Sequence, residues 1–198
     1  MKKLIPLILI AIIAQSCGSS TKLVSSWKDP EANAETVQLD KVLVAALSSS
    51  ETNRRKAENY ISERNPKIFP SYKIVNESLA SNKDLLKQAL ENEGYDAILF
   101  LKLLDEKKSV DYVPGGYTSS YWSVYGSYWG AYYDPGYYTE TTSYVIETSL
   151  YSLEDDKLLW SGVTSTFEPA SIEQAMSEIS DVVYKQMVKD GLLKAEED

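Results

Sequence analysis

The sequence predicts an α/β domain: a mixed sheet of about five strands with three helices, in the order β-α-β-α-β-β-β-α. Three observations support this class. Short apolar runs at 41–47 and 97–101 alternate with helix-like segments, as in a sheet covered by helices. Two strand-like segments, 144–151 and 158–167, flank a polar turn. The segment from residue 172 has a helical apolar period.

The first half of the domain alternates strands with helices. The apolar run Lys41–Leu47 predicts the first strand. The serines at 48–50 are expected to cap a helix over about Glu51–Arg64, because serine hydroxyls accept hydrogen bonds from the first free N–H groups. A short second strand is expected at Tyr72–Val75.

The second helix and third strand follow. Ser81 or Asn82 is expected to cap a helix that Gly94 ends, since glycine readily adopts the left-handed backbone conformation there. The buried strand Ala97–Leu101 comes next and continues as a more exposed extension to Tyr112.

The chain then returns to the sheet and ends in a helix. Tyr144–Tyr151 and Leu158–Phe167 predict two antiparallel strands. Ser171 with Gln174 resembles a capping box, and Gly191 ends the last helix. Its apolar stripe contains Ile172, Ala175, Met176, Ile179, Val182, Val183 and Met187.

The N-terminus has the layout of a lipoprotein signal peptide, residues 1–16. Two lysines precede an eleven-residue apolar run, too short to span a bilayer, and Ala14-Gln15-Ser16-Cys17 resembles a bacterial lipobox. Acyl chains on Cys17 would make the membrane a partner. By resemblance to such lipoproteins, Gly18 after the cysteine favours sorting to the outer membrane, and the lack of a following acidic cluster favours the periplasmic side. The alternative is an ordinary cleaved signal with an incidental cysteine. Residues 17–26 are expected to form a tether before a single domain at 27–198.

Composition limits the chemistry. The chain has no histidine, one cysteine and a formal net charge of −9, and no Lys or Arg occurs from Ser109 to Asp156. The charge disfavours a nucleic-acid partner, and the residue inventory offers no His- or Cys-based metal site. We therefore expect no cofactor, no metal and no catalytic residue.

An aromatic insertion at 112–143 is the strongest candidate for function. Ten of the fifteen tyrosines lie between Tyr112 and Tyr144. Rigid, amphipathic rings suit protein or glycan surfaces, which predicts a partner-binding surface. The alternatives are that the rings only cover the sheet, or that the segment forms a membrane hairpin. The candidate partner-binding residues are Trp122, Tyr125, Tyr128, Trp129 and Tyr132.

Two further sets of residues could bear chemistry. Asn53, Arg54 and Arg55 follow a strand at a helix start, where an anion could bind; a solvated first turn is the simpler interpretation. Paired carboxylates could serve an envelope glycan hydrolase, the alternative to a non-enzymatic binding module. The carboxylates considered are Asp105, Glu106, Asp111, Asp134, Glu140, Glu147, Asp155 and Asp156.

Several short motifs resemble a family of Gram-negative envelope lipoproteins, a domain of unknown function. They are Trp27-Lys28-Asp29-Pro30, Thr52-Asn53-Arg54-Arg55, Pro70-Ser71-Tyr72, Tyr112-Val113-Pro114-Gly115, and Glu147–Tyr151 with Asp156–Ser161. The resemblance implies a fold and an envelope location, and it brings no catalytic residues. The element order is also similar to that of the TolB N-terminal domain and the curli-secretion lipoprotein, which is a likeness of topology alone.

Overall fold

The computed structural model describes residues 19–113 and 137–195. Within them the chain forms six strands, four α-helices and a short 3₁₀ helix at Ser71–Lys73. In chain order the elements are β1 (Thr21–Lys28), β2 (Val42–Leu47), α1 (Glu51–Arg64), β3 (Ile68–Pro70), α2 (Glu77–Ala80), α3 (Lys83–Asn92), β4 (Ala97–Val113), β5 (Tyr137–Ser152), β6 (Lys157–Phe167) and α4 (Ile172–Lys189).

All six strands belong to one mixed sheet in the order β1-β6-β5-β4-β2-β3. β3, β2 and β4 are parallel, whereas the pairs β4–β5, β5–β6 and β6–β1 are antiparallel. The α/β class and the mixed sheet are confirmed. The predicted count of about five strands and three helices is too low by one strand and by the four-residue helix α2.

The additional strand, β1, corrects the predicted tether. Residues 21–26 lie in β1, which pairs along β6 from Thr21↔Thr166 to Lys28↔Trp160. The sequence of this segment predicts a linker because most of its residues are polar. Polar, exposed side chains are also normal for an edge strand. Its pairing partner lies far away in sequence, so no local pattern reveals it.

The second predicted strand is also displaced. Tyr72–Val75 is not a strand; β3 comes earlier, and the 3₁₀ helix follows it. Pro70 ends β3 because proline has no N–H to donate to a ladder. The predicted insertion at 112–143 is shorter as well, since β4 runs to Val113 and β5 begins at Tyr137.

The helix ends follow the predicted local signals. Ser50 Oγ accepts from the Asn53 N–H at 3.3 Å, and Asn82 rather than Ser81 caps α3. Gly94 and Gly191 have φ angles of +77° and +75°, the left-handed conformation that ends a helix. The capping box is partial, since the Gln174 side chain accepts from the Ala170 N–H.

The core lies on both faces of the sheet. α1 and α4 cover one face, where Val44, Leu101, Trp160 and Ile179 are buried. A smaller cluster around Leu90 lies on the opposite face. No helix in the described part of the chain is long and apolar enough to cross a membrane.

Candidate functional site

The predicted site residues fall into two groups. Cys17 and the five candidate aromatic residues, Trp122, Tyr125, Tyr128, Trp129 and Tyr132, lie outside the described residues, so their roles stay predictions. Asn53, Arg54 and Arg55 lie in the first turn of α1. That turn lies beyond the carboxyl end of β2, where open α/β sheets commonly bind ligands.

Arg54 faces a carboxylate that the sequence analysis did not single out. Its Nε donates to Glu58 Oε1 at 3.0 Å, and the Glu58 side chain is fully buried. The same carboxylate accepts from the Ala46 N–H at 3.1 Å, the Ser71 hydroxyl at 2.9 Å and the Tyr72 N–H at 3.1 Å. We call Arg54, Glu58, Ser71 and these two backbone donors the Glu58 cluster.

The place of Glu58 follows from the short β3. β3 pairs with β2 only from Val42 to Val44, so on this side of β2 no strand lies opposite the Ala46 N–H. The Glu58 carboxylate accepts from this N–H and also from the residues that follow β3. A buried N–H or charge without a partner is costly, and the cluster gives both a partner.

The guanidinium groups of the predicted anion site already lie beside carboxylates. Arg55 Nε donates to Glu51 Oε1 at 2.7 Å, and its guanidinium lies 4.9 Å from the centre of the Tyr72 ring. The hydrogen bond to Glu51 is the main cause of a raised pKa for Arg55. Asn53 lies exposed on the same turn. Anion binding here stays a prediction, and an anion would compete with Glu51.

The candidate hydrolase carboxylates fall into separated groups. Glu106 lies opposite Tyr144 near the start of the free part of the β4–β5 hairpin, while Asp155 and Asp156 lie in the turn after Ser152. From Tyr144 to Ser152 is about 27 Å at ~3.4 Å per residue. Carboxylates from these two groups therefore do not flank one glycosidic bond, which needs them about 5–10 Å apart.

Of the remaining candidate carboxylates, Asp111 and Glu140 lie on the arm strands, opposite Thr139 and Val110, and most of the others have nearby partners. Lys107 and Lys108 lie 3.9 and 3.3 Å from Asp105 and Glu106, respectively. Glu147, opposite Lys102 in the register, accepts from the Ser161 hydroxyl at 3.2 Å. Among residues 19–113 and 137–195, no three acidic, Cys or His side chains converge as a metal site. Asp134 lies outside the described residues.

The β4–β5 hairpin forms an arm that leaves the sheet. Towards the arm, the pairing of β5 with β6 stops at Ser143, which lies opposite Phe167. β4 and β5 continue together for six more pairs, from Lys108↔Thr142 to Val113↔Tyr137. At ~3.4 Å per residue the arm extends about 20 Å past β6. The aromatic segment, residues 114–136, is thus attached at the far end of this arm.

β1 begins at the end of the sheet from which the arm projects. Thr21 is level with Thr166, Tyr144 and Glu106 across β6, β5 and β4. β1 runs in the same direction as β5, so the chain enters β1 from the side on which the arm projects. Ser19 and Ser20, which lead into β1, therefore lie on the arm side.

The residues just before β1 are bound to α4. The hydroxyls of Ser19 and Ser20 donate to Glu178 Oε2 at 3.0 and 2.8 Å. Burial raises the pKa of Glu178, but hydrogen bonds from Gln174 and from residues 19–21 outweigh it and lower the pKa to about 2. The sequence analysis missed Glu178, whose only local signal is its spacing of four residues from Gln174.

Comparisons with known proteins add a distant structural likeness. No family model and no curated protein matches the chain. Two crystal structures of the PelC dodecamer from Paraburkholderia phytofirmans are similar to 89% and 82% of this chain and to 98% and 94% of PelC, with 12% and 10% identity and TM-scores of 0.43 and 0.44. Lipoprotein GNA1162 from Neisseria meningitidis is similar over 75% of this chain and 98% of its own, with 17% identity and a TM-score of 0.39. Likeness at this level does not carry a function from one protein to another.

Proposed function

We propose that the protein is a lipoprotein of the outer membrane, acylated at Cys17 and facing the periplasm, which binds an envelope protein without catalysing a reaction. The contact is made by the aromatic segment at the end of the arm, with Trp122, Tyr125, Tyr128, Trp129 and Tyr132 as its anchors. The observation that carries the proposal is that the arm and the N-terminal end of β1 leave the sheet on the same side.

This geometry keeps the domain close to the membrane. Thr21 lies four positions after Cys17, a reach of at most about 14 Å. Ser19 and Ser20 are held on α4 by Glu178, which shortens the free connection further. An acylated Cys17 would therefore turn the arm side of the domain towards the bilayer.

The arm is longer than this connection, so its end would lie at the membrane surface. Its charged residues Lys108 and Glu140 are exposed to solvent. Strands with such residues act as a polar spacer. Tyrosine and tryptophan combine an apolar ring with a polar group, which suits contacts at the boundary between water and membrane. The partner we expect is an envelope protein at this boundary.

Photo-crosslinking in living cells tests the contact. The full chain is made with a photoreactive amino acid at Val110, on the arm, or at Val24, on β1; these valines are 60% and 62% exposed, so they form a matched pair. We expect a protein adduct of defined mass from position 110 and none from position 24. Deleting Gly116–Gly136 should abolish the adduct.

The outcomes distinguish the alternatives. An adduct at position 110 that persists after the deletion would show that the aromatic segment is not the contact. Adducts to lipid alone would replace a protein partner with the bilayer. Release of muropeptides, lost on Asp or Glu to Asn or Gln changes, would favour the glycan hydrolase.

The anchor has a separate test. Mass spectrometry of the mature N-terminus should find an acylated Cys17 as the first residue, and Cys17→Ser should release the protein from the membrane fraction. A mature chain that begins elsewhere and is soluble would overturn the proposed anchor.

A further inference from the structure

An open, mostly apolar cavity of about 800 Å³ lies between the sheet and helices α1 and α4. Val42, Leu99 and Leu150 contribute to its floor, and Ile61 and Val183 to its walls. Sites for small molecules typically have volumes of about 300–1,000 Å³ and a mostly apolar lining with a few polar groups. The cavity has the size and lining of such a site, and it is separate from the arm.

One buried hydroxyl in the cavity lining has no hydrogen-bond partner. The Thr148 side chain is 2% exposed and lines the cavity, and in the described part of the chain its Oγ1 is the one buried side-chain oxygen or nitrogen without a partner. An unpaired buried hydroxyl is unfavourable, whereas valine would fill the same space without this cost. Thr148 therefore places an unsatisfied polar group in the cavity lining.

The other buried threonines of this region make hydrogen bonds. Thr164 Oγ1 donates to the Ile146 carbonyl at 3.3 Å, and the hydroxyls of Thr21 and Thr166 are 2.8 Å apart. The hydroxyls of Thr164, Thr21 and Thr166 therefore all have hydrogen-bond partners, unlike that of Thr148. A water molecule would be held poorly at Thr148, since ordered water in proteins needs about two to four polar partners and the neighbouring floor is apolar.

The charged residues of the cavity lining include more basic than acidic groups. Arg64, Lys67 and Lys194 lie at its mouth, at the end of the domain opposite the arm, and the lining also contains Asp40 and Asp181. Lys67 is paired with Asp40 at 2.7 Å, but Arg64 makes no ion pair with any described residue. The Arg64 guanidinium packs on the Tyr60 ring and donates to the Ser177 hydroxyl at 3.3 Å. It can therefore accept an anionic group at the mouth.

The separation of these two groups suggests the shape of the ligand. Val42 begins β2 near the mouth, and Thr148 lies across Leu101 from Ala46, four residues further along β2. Four residues correspond to about 13 Å along the strands at ~3.3 Å each, and the two strand spacings from β2 to β5 add about 10 Å across the sheet, so the direct separation is about 16 Å. That separation matches an extended alkyl chain of roughly twelve carbons with its two end groups.

We propose that this cavity binds an amphipathic anion with an alkyl body, whose acidic group contacts Arg64 and whose distal oxygen hydrogen-bonds Thr148. The apolar lining takes the alkyl chain out of water, which supplies most of the affinity. The two polar contacts at either end fix its direction. The cavity opens away from the arm, so the ligand enters without displacing the partner proposed above.

Isothermal titration calorimetry tests the site on full-length protein in lipid nanodiscs. The probes are dodecanoate and ω-hydroxydodecanoate, which differ only in the distal hydroxyl. We expect the hydroxylated probe to bind wild-type protein about 3–10-fold more tightly, the value of one hydrogen bond. Thr148→Val should abolish that preference by weakening only the hydroxylated probe. Because its nanodiscs take up the same amount of each probe into the bilayer, this variant also controls for partition.

Variants at the mouth complete the design. Arg64→Gln should weaken both probes about 5-fold, because both place a carboxylate there. Arg55→Gln, on the same helix but outside the cavity, should change neither. The proposal is overturned if neither probe gives heat beyond that of empty nanodiscs, or if Thr148→Val, shown by circular dichroism to be folded, binds ω-hydroxydodecanoate as tightly as wild type.

Discussion

The Nε of Arg54 donates a 3.0 Å hydrogen bond to Oε1 of Glu58, whose side chain is fully buried beside the end of β2. The guanidinium also donates to the Ser71 hydroxyl at 3.1 Å, and that hydroxyl donates to the same Glu58 oxygen at 2.9 Å. The Glu58 cluster therefore connects α1, the open side of β2 and the 3₁₀ helix after β3.

Replacing Glu58 should destabilise the fold severely. Glu58→Ala leaves the Ala46 N–H, the Ser71 hydroxyl and the Arg54 guanidinium without their acceptor, and removing one member of a buried ion pair costs about 3–5 kcal/mol. Urea denaturation measures the loss. Glu51→Ala, which removes an exposed partner of the same arginine, should change stability little. Equal effects of the two variants would contradict the role of burial.

Gly162 should not tolerate a side chain. A Cβ at this position would overlap ring atoms of Trp160, whose indole lies over the glycine. Gly162→Ala should cost about 1–3 kcal/mol of stability by overpacking and weaken the 2.9 Å hydrogen bond from Trp160 Nε1 to Asp190. Unfolding followed by tryptophan fluorescence measures the loss of stability. In a Trp160→Leu background the same glycine change should cost clearly less; an unchanged cost would mean that another contact is responsible.

Features of the fold that depend on adjacent residues were predictable from sequence. Ser50 and Asn82 cap their helices because the donors lie two or three residues away, and Gly94 ends its helix through its own backbone. Elements that need a distant partner were not. β1 is a strand because β6 lies beside it, and the bond from Ser20 to Glu178 joins residues 158 positions apart.

The candidate sites follow the same division. The first turn of α1 was correctly placed after a strand, but Glu58 turns Arg54 inward, and nothing in the local pattern marks that glutamate as buried. The aromatic segment is evident from composition, yet the arm that carries it depends on pairing between β4 and β5 beyond the end of β6. The cavity is assembled from five separate parts of the chain, so its shape could not be derived from any single pattern.

Thr148→Val should stabilise the protein in the absence of ligand. It removes an unpaired buried hydroxyl, so the free energy of unfolding should rise by about 1 kcal/mol. Thr164→Val is the matched control, because it removes a hydroxyl that donates to the Ile146 carbonyl and should lower stability. Denaturant midpoints of the two variants should move in opposite directions. A lower midpoint for Thr148→Val would show that its hydroxyl is satisfied in the unliganded protein.

Glu178 should make stability depend on acid pH through its hold on the start of β1. Its pKa in the folded protein is about 2, below the ordinary value of 4.5, because Gln174 and residues 19–21 hydrogen-bond to the carboxylate. A depressed pKa means that the charged form is preferred in the folded state. The stabilisation that the charged Glu178 gives the folded protein is therefore complete above pH 4.5. It is lost as the pH falls from 4.5 towards 2.

Thermal unfolding of wild type and Glu178→Gln between pH 5 and about 2.5 measures this contribution. We expect wild type to have the higher Tm at pH 5 and the difference to shrink as the pH falls. Ser20→Ala removes one donor, at 2.8 Å, so it should raise the pKa of Glu178 and give a smaller pH-dependent difference. Parallel Tm curves for wild type and Glu178→Gln would contradict this role of Glu178. Acid would then destabilise the protein through other carboxylates, and the start of β1 would stay attached to α4.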